Sequence, residues 1–363
     1  HGGIATRNPE ELLEIFKLLT WAKAALTDSE QIPTAELERA LQRIAPSLRT
    51  LRHANGNLVR FQGGDQGMEG MLDTALAACG IKSRNSDGLT MGYARLSAGR
   101  TSVIIDAGPP ATGNASYNAH ASTLAFELTS GRRPLIVSCG SGAHLGADWH
   151  RAGRATPSHS TLCLGGYSSA RLGKPVKTSG LFREFLVEAP KIVPVEMSQT
   201  AEGVKFEGAH SGYVPPFGLT HARKLSLSLD GRSLVGEDLL IALNDTTGKA
   251  AETVLSEDID PNVDFQIRFH LHPEVDAALD LGGTTVAIAA KSGEIWIFRH
   301  ESNLFLTIEP GVYLEKNQPT PRASRQIVLS GMVNDALTRA QWSLSKTQDT
   351  AMAIRDLRLE ELR

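Results

Sequence analysis

The sequence has no run of about 18 apolar residues, so it predicts no membrane-spanning helix. Cysteine is scarce: Cys79, Cys139 and Cys163 allow one disulfide at most, which excludes a disulfide-stapled scaffold. No charge of one sign dominates, since 37 Lys and Arg residues face 40 Asp and Glu residues, for a formal net charge of −3. Nucleic-acid-binding proteins carry dense basic surfaces, so this balance predicts no nucleic-acid partner.

The 363 residues are enough for two domains with buried cores, and the 41% hydrophobic content excludes a wholly disordered chain. The chain opens at His1 with neither Met nor a signal-peptide pattern, and it enters a helix by residue 9. We therefore expect it to begin inside a larger domain. The terminus itself gives no information on cellular location.

Residues 1–85 are predicted to be helical. Asn8 suits an N-cap, and Pro9 suits the first helical position after it. Apolar residues at helical spacing predict three helices, which run from Pro9 to about Leu26, from near Thr34 to about Leu48, and from about Met68 to Cys79.

From residue 86 to 346 the pattern changes to short runs of period two between turn residues. Such closely spaced strands without intervening helices predict a large antiparallel β-sandwich, so the fold class is α+β and mainly β. The predicted strands are Thr101–Asp106, Thr123–Leu128, Leu135–Val137, Thr161–Leu164, Lys224–Leu229, Phe265–His270, Thr284–Ala289, Ile295–Phe298 and Gln326–Leu329. Asp230-Gly231 indicates a hairpin. Residues 347–363 are predicted to form a charged tail.

The segment from Tyr117 to Leu128 carries the most chemistry. Read as a strand, it places Asn118 and His120 on one face. A hairpin turn at Gly131 would return Ser138 and Cys139 to the start of that strand, and His159 would begin another. Further along, His210 and Tyr213 lie in a turn that either lines a groove or is packed by its tyrosine. Arg154 is a candidate for a local basic substrate surface.

The order of these features resembles the heparinase II/III-like polysaccharide lyase family. That family joins an N-terminal α/α toroid to a C-terminal antiparallel β-sandwich, so the resemblance implies that residues 1–85 are the end of a toroid. A sandwich with a complete three-helix cap is the competing fold. The resemblance rests on these segments: Gly2-Gly3 with Arg7-Asn8-Pro9, the hairpin above, 154–162, 210–213, 218–223, 269–273, 325–329 and 341–344.

The family's chemistry is β-elimination at a uronic acid, which needs a group to neutralise the carboxylate, a base and an acid. The resemblance implies catalytic roles for Asn118 and His120, and substrate contacts for Tyr117, Arg154, His210 and Tyr213. Two positions depart from the family pattern. Asn118 stands where a catalytic His is expected, and an amide cannot act as a base. Glu11 stands about where the toroid Tyr would be.

The resemblance also implies a zinc site. His120 and His159 match two ligand positions, but Ser138 occupies that of the usual Asp, and Cys139 beside it would complete a His120, Cys139, His159 set. Cys139 as a small buried hydrophobe is the alternative. We expect His120 and His159 to approach each other across neighbouring strands whether or not zinc is bound.

Two functions follow from the resemblance. The first is a lyase acting on an acidic, uronate-containing polysaccharide. The second is a carbohydrate-binding or scaffold protein that keeps the fold and has lost the base, and a purely structural sandwich is a third reading. The resemblance implies a periplasmic or cell-envelope location, and the sequence leaves a homo-oligomer open.

Overall fold

The computed structural model describes residues 2–82, 88–178, 180–242, 263–300, 304–333 and 335–348. Its helices are α1 (Pro9–Asp28), α2 (Ala35–Thr50), α3 (Met71–Cys79), α4 (Ala147–Arg154) and α5 (Val214–Phe217), with short 3-10 segments at Gly113–Asn118, Ala143–Leu145, Thr156–Ser158 and Leu281–Gly283. Among the described helices, none is both long and apolar enough to cross a membrane.

Twenty strands make up the larger share of the described secondary structure. They are β1 (Tyr93–Ala98), β2 (Thr101–Asp106), β3 (Phe126–Ser130), β4 (Arg133–Val137), β5 (Leu162–Leu164), β6 (Arg171–Leu172), β7 (Val176–Thr178), β8 (Leu181–Arg183), β9 (Leu186–Glu188), β10 (Val195–Gln199), β11 (Gly203–His210), β12 (Leu219–Ser228), β13 (Ser233–Ala242), β14 (Asp264–Leu271), β15 (Val275–Asp280), β16 (Thr285–Ala290), β17 (Ile295–His300), β18 (Phe305–Tyr313), β19 (Arg322–Met332) and β20 (Leu337–Gln348).

The strands form two eight-stranded antiparallel sheets. The first has the order β1-β2-β3-β4-β14-β19-β18, with β5 also paired to β14. The second has the order β10-β11-β12-β13-β20-β17-β16-β15. Two small hairpin-like sheets, β6-β9 and β7-β8, complete the set. This arrangement is the predicted sandwich.

Strand β2 shows how the parts fit together, because all six of its residues are buried. Side chains alternate along a strand, so neighbouring residues point to opposite faces. Val103 and Ile105 join the core between the two sheets, whereas Ile104 joins a second core built by α1, α2 and α3. The first sheet is therefore covered on one face by the second sheet and on the other by the helical segment.

Two buried arginines fasten the helical segment to the sandwich. Arg7 donates to Asp106 Oδ1 at 2.5 Å and to the Pro109 carbonyl at 2.8 Å. Arg60 donates to the carbonyls of Ser138 and Leu314. An arginine presents five donors in a fixed fork, so each of these side chains satisfies several buried oxygens at once.

Most predicted elements lie close to their expected positions. Thr101–Asp106 and the hairpin at Asp230-Gly231 are as predicted. The third helix begins at Met71 rather than Met68. The predicted strand at Thr123–Leu128 is wrong at its start, because Leu124 has a φ of 65°, a left-handed conformation that no strand contains. The predicted tail at 347–363 starts too early, because β20 extends to Gln348, and its other residues lie outside the described residues.

Candidate functional site

A cleft of about 440 Å³ lies where the start of α1 meets the sandwich. Its walls come from the first turns of α1, the loop after Phe61, the end of the 3-10 segment at Gly113–Asn118, and the segment after β4. The residues that line it are Asn8, Glu10, Glu11, Glu14, Ile15, Gly63, Asp65, Asn118, Ser141, Ala143, His144 and Lys316. Glu11 and Asn118, the two positions that depart from the family pattern, therefore share one cleft.

The N-terminus of α1 places Glu11 in this cleft. Asn8 caps the helix, since its Oδ1 accepts hydrogen bonds from the backbone N–H groups of Glu10 and Glu11 at 2.9 and 3.2 Å. Pro9 occupies the first helical position as predicted, and acidic residues in a first turn are favoured by the helix dipole. The capped helix thus points carboxylates toward the sandwich.

Tyr117 and Glu11 form a direct pair across the cleft edge. The Tyr117 hydroxyl donates to Glu11 Oε1 at 2.7 Å, and Thr6 Oγ1 donates to Glu11 Oε2 at 2.6 Å. The guanidinium of Arg183 lies 4.8 Å from the centre of the Tyr117 ring. Burial, followed by the hydrogen bond to Glu11, raises the pKa of Tyr117 to about 12, so the phenol stays protonated at neutral pH.

Among the described residues that line the cleft, the charges are mainly acidic and the one lysine is paired. Lys316 Nζ lies 3.0 Å from Glu10 Oε1, and Arg60 Nε lies 2.9 Å from Asp65 Oδ1. Burial would raise the pKa of Asp65, but Arg60 outweighs it and the pKa is lowered overall. In the part of the chain that the structure describes, no unpaired basic side chain lines the cleft. A uronate carboxylate would therefore meet carboxylates rather than a neutralising group.

His144 is a cleft residue whose role the sequence did not single out. Its Nε2 lies 3.0 Å from the Gln318 carbonyl, so Nε2 carries the proton and donates. In the neutral form of the ring, the lone pair therefore lies on the remaining nitrogen, Nδ1. Only the folded arrangement brings this histidine to the cleft, because it lies in a short 3-10 segment that carries no motif.

Asn118 and His120 do not share a strand face. Asn118 ends a 3-10 segment and is partly exposed in the cleft, whereas His120 is fully buried. Arg154 fixes the backbone on both sides of Asn118, because it donates to the Ala119 and Ser116 carbonyls, each at 2.8 Å. Arg154 is itself 2% exposed, so it positions the segment that carries Asn118 and has no surface to offer a substrate.

His120 and His159 do approach each other, but not across neighbouring strands as predicted, because each follows a 3-10 segment and His159 precedes β5. His120 Nδ1 lies 3.2 Å from His159 Nε2, and His159 Nδ1 lies 3.2 Å from Ser138 Oγ. Burial is the main cause that lowers the pKa of both histidines, to about 3 for His159, so both are neutral at pH 7. Ser138, His159 and His120 thus form a buried hydrogen-bonded line.

This line does not fit zinc. Ser138 contacts His159 Nδ1, whereas His120 contacts the other ring nitrogen, Nε2. The candidate ligand atoms are therefore arranged in a row and do not surround one point where a metal ion could bind. Cys139 is not with them: its Sγ lies 3.4 Å from His270 Nδ1, and burial raises its pKa to about 12, whereas zinc binds the thiolate. Across the described residues, no group of three or more His, Cys, Asp or Glu side chains could hold a metal. The ligand set His120, Cys139, His159 is therefore corrected to two separate buried contacts.

His210 and Tyr213 belong to the core and not to a groove. Tyr213 is fully buried, and its hydroxyl donates to the Leu162 carbonyl at 2.8 Å. His210 Nδ1 accepts from the Gly212 N–H, so its Nε2 donates to His221 Nδ1 at 3.1 Å. The turn is packed by its tyrosine, which is the alternative that the sequence left open.

Sequence reasoning missed the buried cluster that continues from His210. His221 Nε2 donates to Asp238 Oδ1 at 2.8 Å, and Arg223 bonds both oxygens of the same carboxylate at 2.8 and 3.0 Å. Arg223 and Asp238 are direct cross-strand partners on β12 and β13. The sequence did contain a signal for this cluster: Arg223 and Asp238 are charged residues at positions that the alternation of their strands places toward the core.

The comparisons agree with this geometry at the level of the fold. Residues 81–346 match the model of the family described as heparinase II/III-like, C-terminal, and the chain belongs to that family. The structure is similar to the heparan sulfate lyase HepC from Pedobacter heparinus, with a TM-score of 0.67 at 12% identity, covering 96% of this chain and 53% of that chain. A heparinase III crystal structure gives a TM-score of 0.66 at 12% identity, covering 95% and 54%.

One relative is similar in sequence as well. FtsZ-localized protein C from Caulobacter vibrioides is 31% identical over 356 residues, which cover 96% of this chain and 58% of that protein. The chain therefore spans somewhat more than half the length of the relatives that it matches. The name of this relative describes localisation with FtsZ and names no lyase activity.

Proposed function

We propose that this chain is a glycan-binding member of the heparinase II/III-like family that does not catalyse β-elimination of uronates. The observation that carries this proposal is the composition of the cleft, where Asn118 and Glu11 replace the expected His and Tyr. Elimination needs the uronate carboxylate to be neutralised and its neighbouring proton to be removed. Among the described residues that line the cleft, the one lysine or arginine, Lys316, is paired with Glu10.

The same side chains suit a different class of sugar. Carboxylate oxygens accept hydrogen bonds, and an amide both donates and accepts, so Glu11 and Asn118 can bind hydroxyl and acetamido groups. An acidic polymer would instead face like charges. The preferred ligand is therefore an uncharged oligosaccharide, in place of the acidic polysaccharide expected from the sequence. The name of the relative that localises with FtsZ is consistent with a binding or scaffold role.

A second candidate function is retained because of His144. Its Nδ1 carries the lone pair, and a neutral imidazole in the cleft could take over the task of the missing base. Tyr117, which stays protonated, could then supply the acid. This possibility keeps β-elimination open to direct test.

Binding measurements with oligosaccharides of different charge test the main proposal. We expect an N-acetylated neutral oligosaccharide to bind more tightly than a uronate-containing one of equal length, with little dependence on salt. Glu11→Gln should weaken binding of the neutral ligand about tenfold, since a charge-assisted hydrogen bond contributes about 1.5–3 kcal/mol. Glu36→Gln is the matched control, because Glu36 is an exposed residue on α2 paired with Arg39. Tighter binding of the uronate ligand, strengthened by Glu11→Gln, would contradict the proposal.

A further inference from the structure

A second, smaller cavity of about 290 Å³ adjoins the cleft. The two cavities share four lining residues, which are Glu10, Glu14, Asp65 and Lys316. Beyond this shared wall, the second cavity continues between the loop before α3, which contributes Met68, and the segment after β18, which contributes Gln318. A ligand that fills the cleft can therefore extend past the shared wall into the second cavity.

Hydrogen bonds centred on Asp65 hold the shared wall in one arrangement. The Asp65 N–H donates to Glu10 Oε2 at 3.1 Å, and the Lys316 N–H donates to Asp65 Oδ2 at 2.7 Å. Asp65 is 8% exposed, and its other oxygen, Oδ1, accepts from Arg60 Nε at 2.9 Å. The two cavities therefore keep a fixed position relative to each other, which successive subsites for one ligand require.

The charges that line the second cavity are balanced in pairs. Among the described residues that line it, each of the four carboxylates has a cationic partner. The pairs are Glu10 with Lys316, Glu14 with Lys17, Asp65 with Arg60, and Glu315 with Arg322. A charged sugar would meet no unpaired lysine or arginine among these lining residues, so the cavity is better matched to an uncharged one.

The other lining residues combine amide and apolar side chains. Asn317 and Gln318 are exposed, and an amide can donate hydrogen bonds to hydroxyl groups and accept hydrogen bonds from them. Met68 is 65% exposed, and Met71 of α3 lines the same cavity. A methionine side chain is flexible and packs against irregular apolar surfaces. A sugar ring has hydroxyl groups at its edge and C–H groups on its faces, so it matches this combination.

We propose that the second cavity is a further subsite for the same glycan, so that one uncharged oligosaccharide occupies the cleft and this cavity together. The proposal rests on the glycan-binding function proposed above and adds a preference for chain length to it. Cavities that bind small molecules usually measure about 300–1,000 Å³, so a volume of about 290 Å³ is enough for a short part of a sugar chain. Met68 and Gln318 are then residues that determine specificity for long over short chains.

Calorimetric titration with two N-acetylated neutral oligosaccharides, a disaccharide and a pentasaccharide, tests the proposal. We expect the pentasaccharide to bind about tenfold more tightly, because it alone reaches both cavities. Met68→Ala and Gln318→Ala should each weaken binding of the pentasaccharide about fivefold, through loss of an apolar contact and of a neutral hydrogen bond, and leave the disaccharide unaffected. Met332→Ala and Gln199→Ala are the matched controls, because Met332 is 42% exposed on β19 and Gln199 is exposed on β10.

Glu11→Gln separates this proposal from the function on which it rests. It should weaken binding of both oligosaccharides, because Glu11 lines the cleft and not the second cavity. If it does so while wild type binds both with equal affinity, the cleft binds glycan and the second cavity is not a subsite. An unchanged affinity of Met68→Ala and Gln318→Ala for the pentasaccharide would overturn the subsite as well. If neither oligosaccharide binds to wild type, the glycan-binding function fails, and the subsite fails with it.

Discussion

Replacing Asp238 with alanine is expected to lower the free energy of unfolding by about 3–5 kcal/mol, the range for breaking a buried ion pair from one side. Asp238, Arg223, His221 and Trp342 are all buried at the centre of the sandwich. The carboxylate accepts two hydrogen bonds from Arg223, one from His221, and one from Trp342 Nε1 at 2.9 Å. Without it, Arg223 remains as an uncompensated buried charge.

The pH dependence of stability gives this prediction a second readout. Burial would raise the pKa of Asp238, but Arg223 and the hydrogen bond from His221 outweigh it and lower the pKa overall. A carboxyl with a lowered pKa in the folded state stabilises the protein above its unfolded pKa of about 3.9, and this contribution is lost as the pH falls further. Asp238→Ala should therefore lose less stability than wild type on acidification through that range.

Urea denaturation at several pH values measures both effects. Asp276→Ala is the control, because Asp276 lies on the exposed face of β15, where substitutions usually change stability by about 0.5 kcal/mol or less. A loss below about 1 kcal/mol for Asp238→Ala would mean that the buried cluster is not the stabilising centre described here.

The second large effect is expected at the junction of the helices and the sandwich. Arg7→Met should cost about 3–5 kcal/mol, because Asp106 is fully buried and loses its charged partner. Besides Asp106, the guanidinium satisfies four backbone carbonyls, those of Met91, Gly92, Gly108 and Pro109. Methionine keeps the length of the side chain but none of these donors.

Hydrogen exchange distinguishes loosening of the junction from general destabilisation. Relative to wild type, we expect Arg7→Met to increase the rate of amide exchange in α1, α2 and α3 more than in the central strands β12 and β13. Arg39→Met is the control, since Arg39 is exposed on α2. Uniformly faster exchange over helices and sheets would contradict a role for Arg7 in holding the two parts together.

The sequence predicted the sandwich because alternation along strands is a local property. Thr101–Asp106 was predicted with its true bounds, since a buried strand between turn residues has a clear pattern. The segment around Leu124 was predicted wrongly, because alternating apolar residues occur both in a strand and in a buried loop. Its path is set by Arg223, whose Nη1 donates to the Leu124 carbonyl from 99 residues away.

The candidate site was predictable only in part, for the same reason. The cap at Asn8 and the approach of His120 to His159 were expected, and both are present. The pairing of Glu11 with Tyr117 joins residues 106 positions apart, which no local pattern reveals. Cys139 follows Ser138 in the chain, yet its side chain contacts His270 and not the pair of His120 and His159. The reason is that the side chains of consecutive residues in an extended chain point in opposite directions.

The central claim is that the fold is retained and uronate elimination is lost. The direct test is ultraviolet absorbance of the unsaturated uronate product, measured with a panel of uronate polymers, a known heparinase as positive control, and the full-length protein that contains this chain. We expect no product from wild type, because a missing base alone costs about 10²–10⁴-fold in rate and the described residues that line the cleft offer no unpaired lysine or arginine. Product formation by wild type that is abolished in His144→Ala would contradict the claim and establish a lyase with His144 as its base.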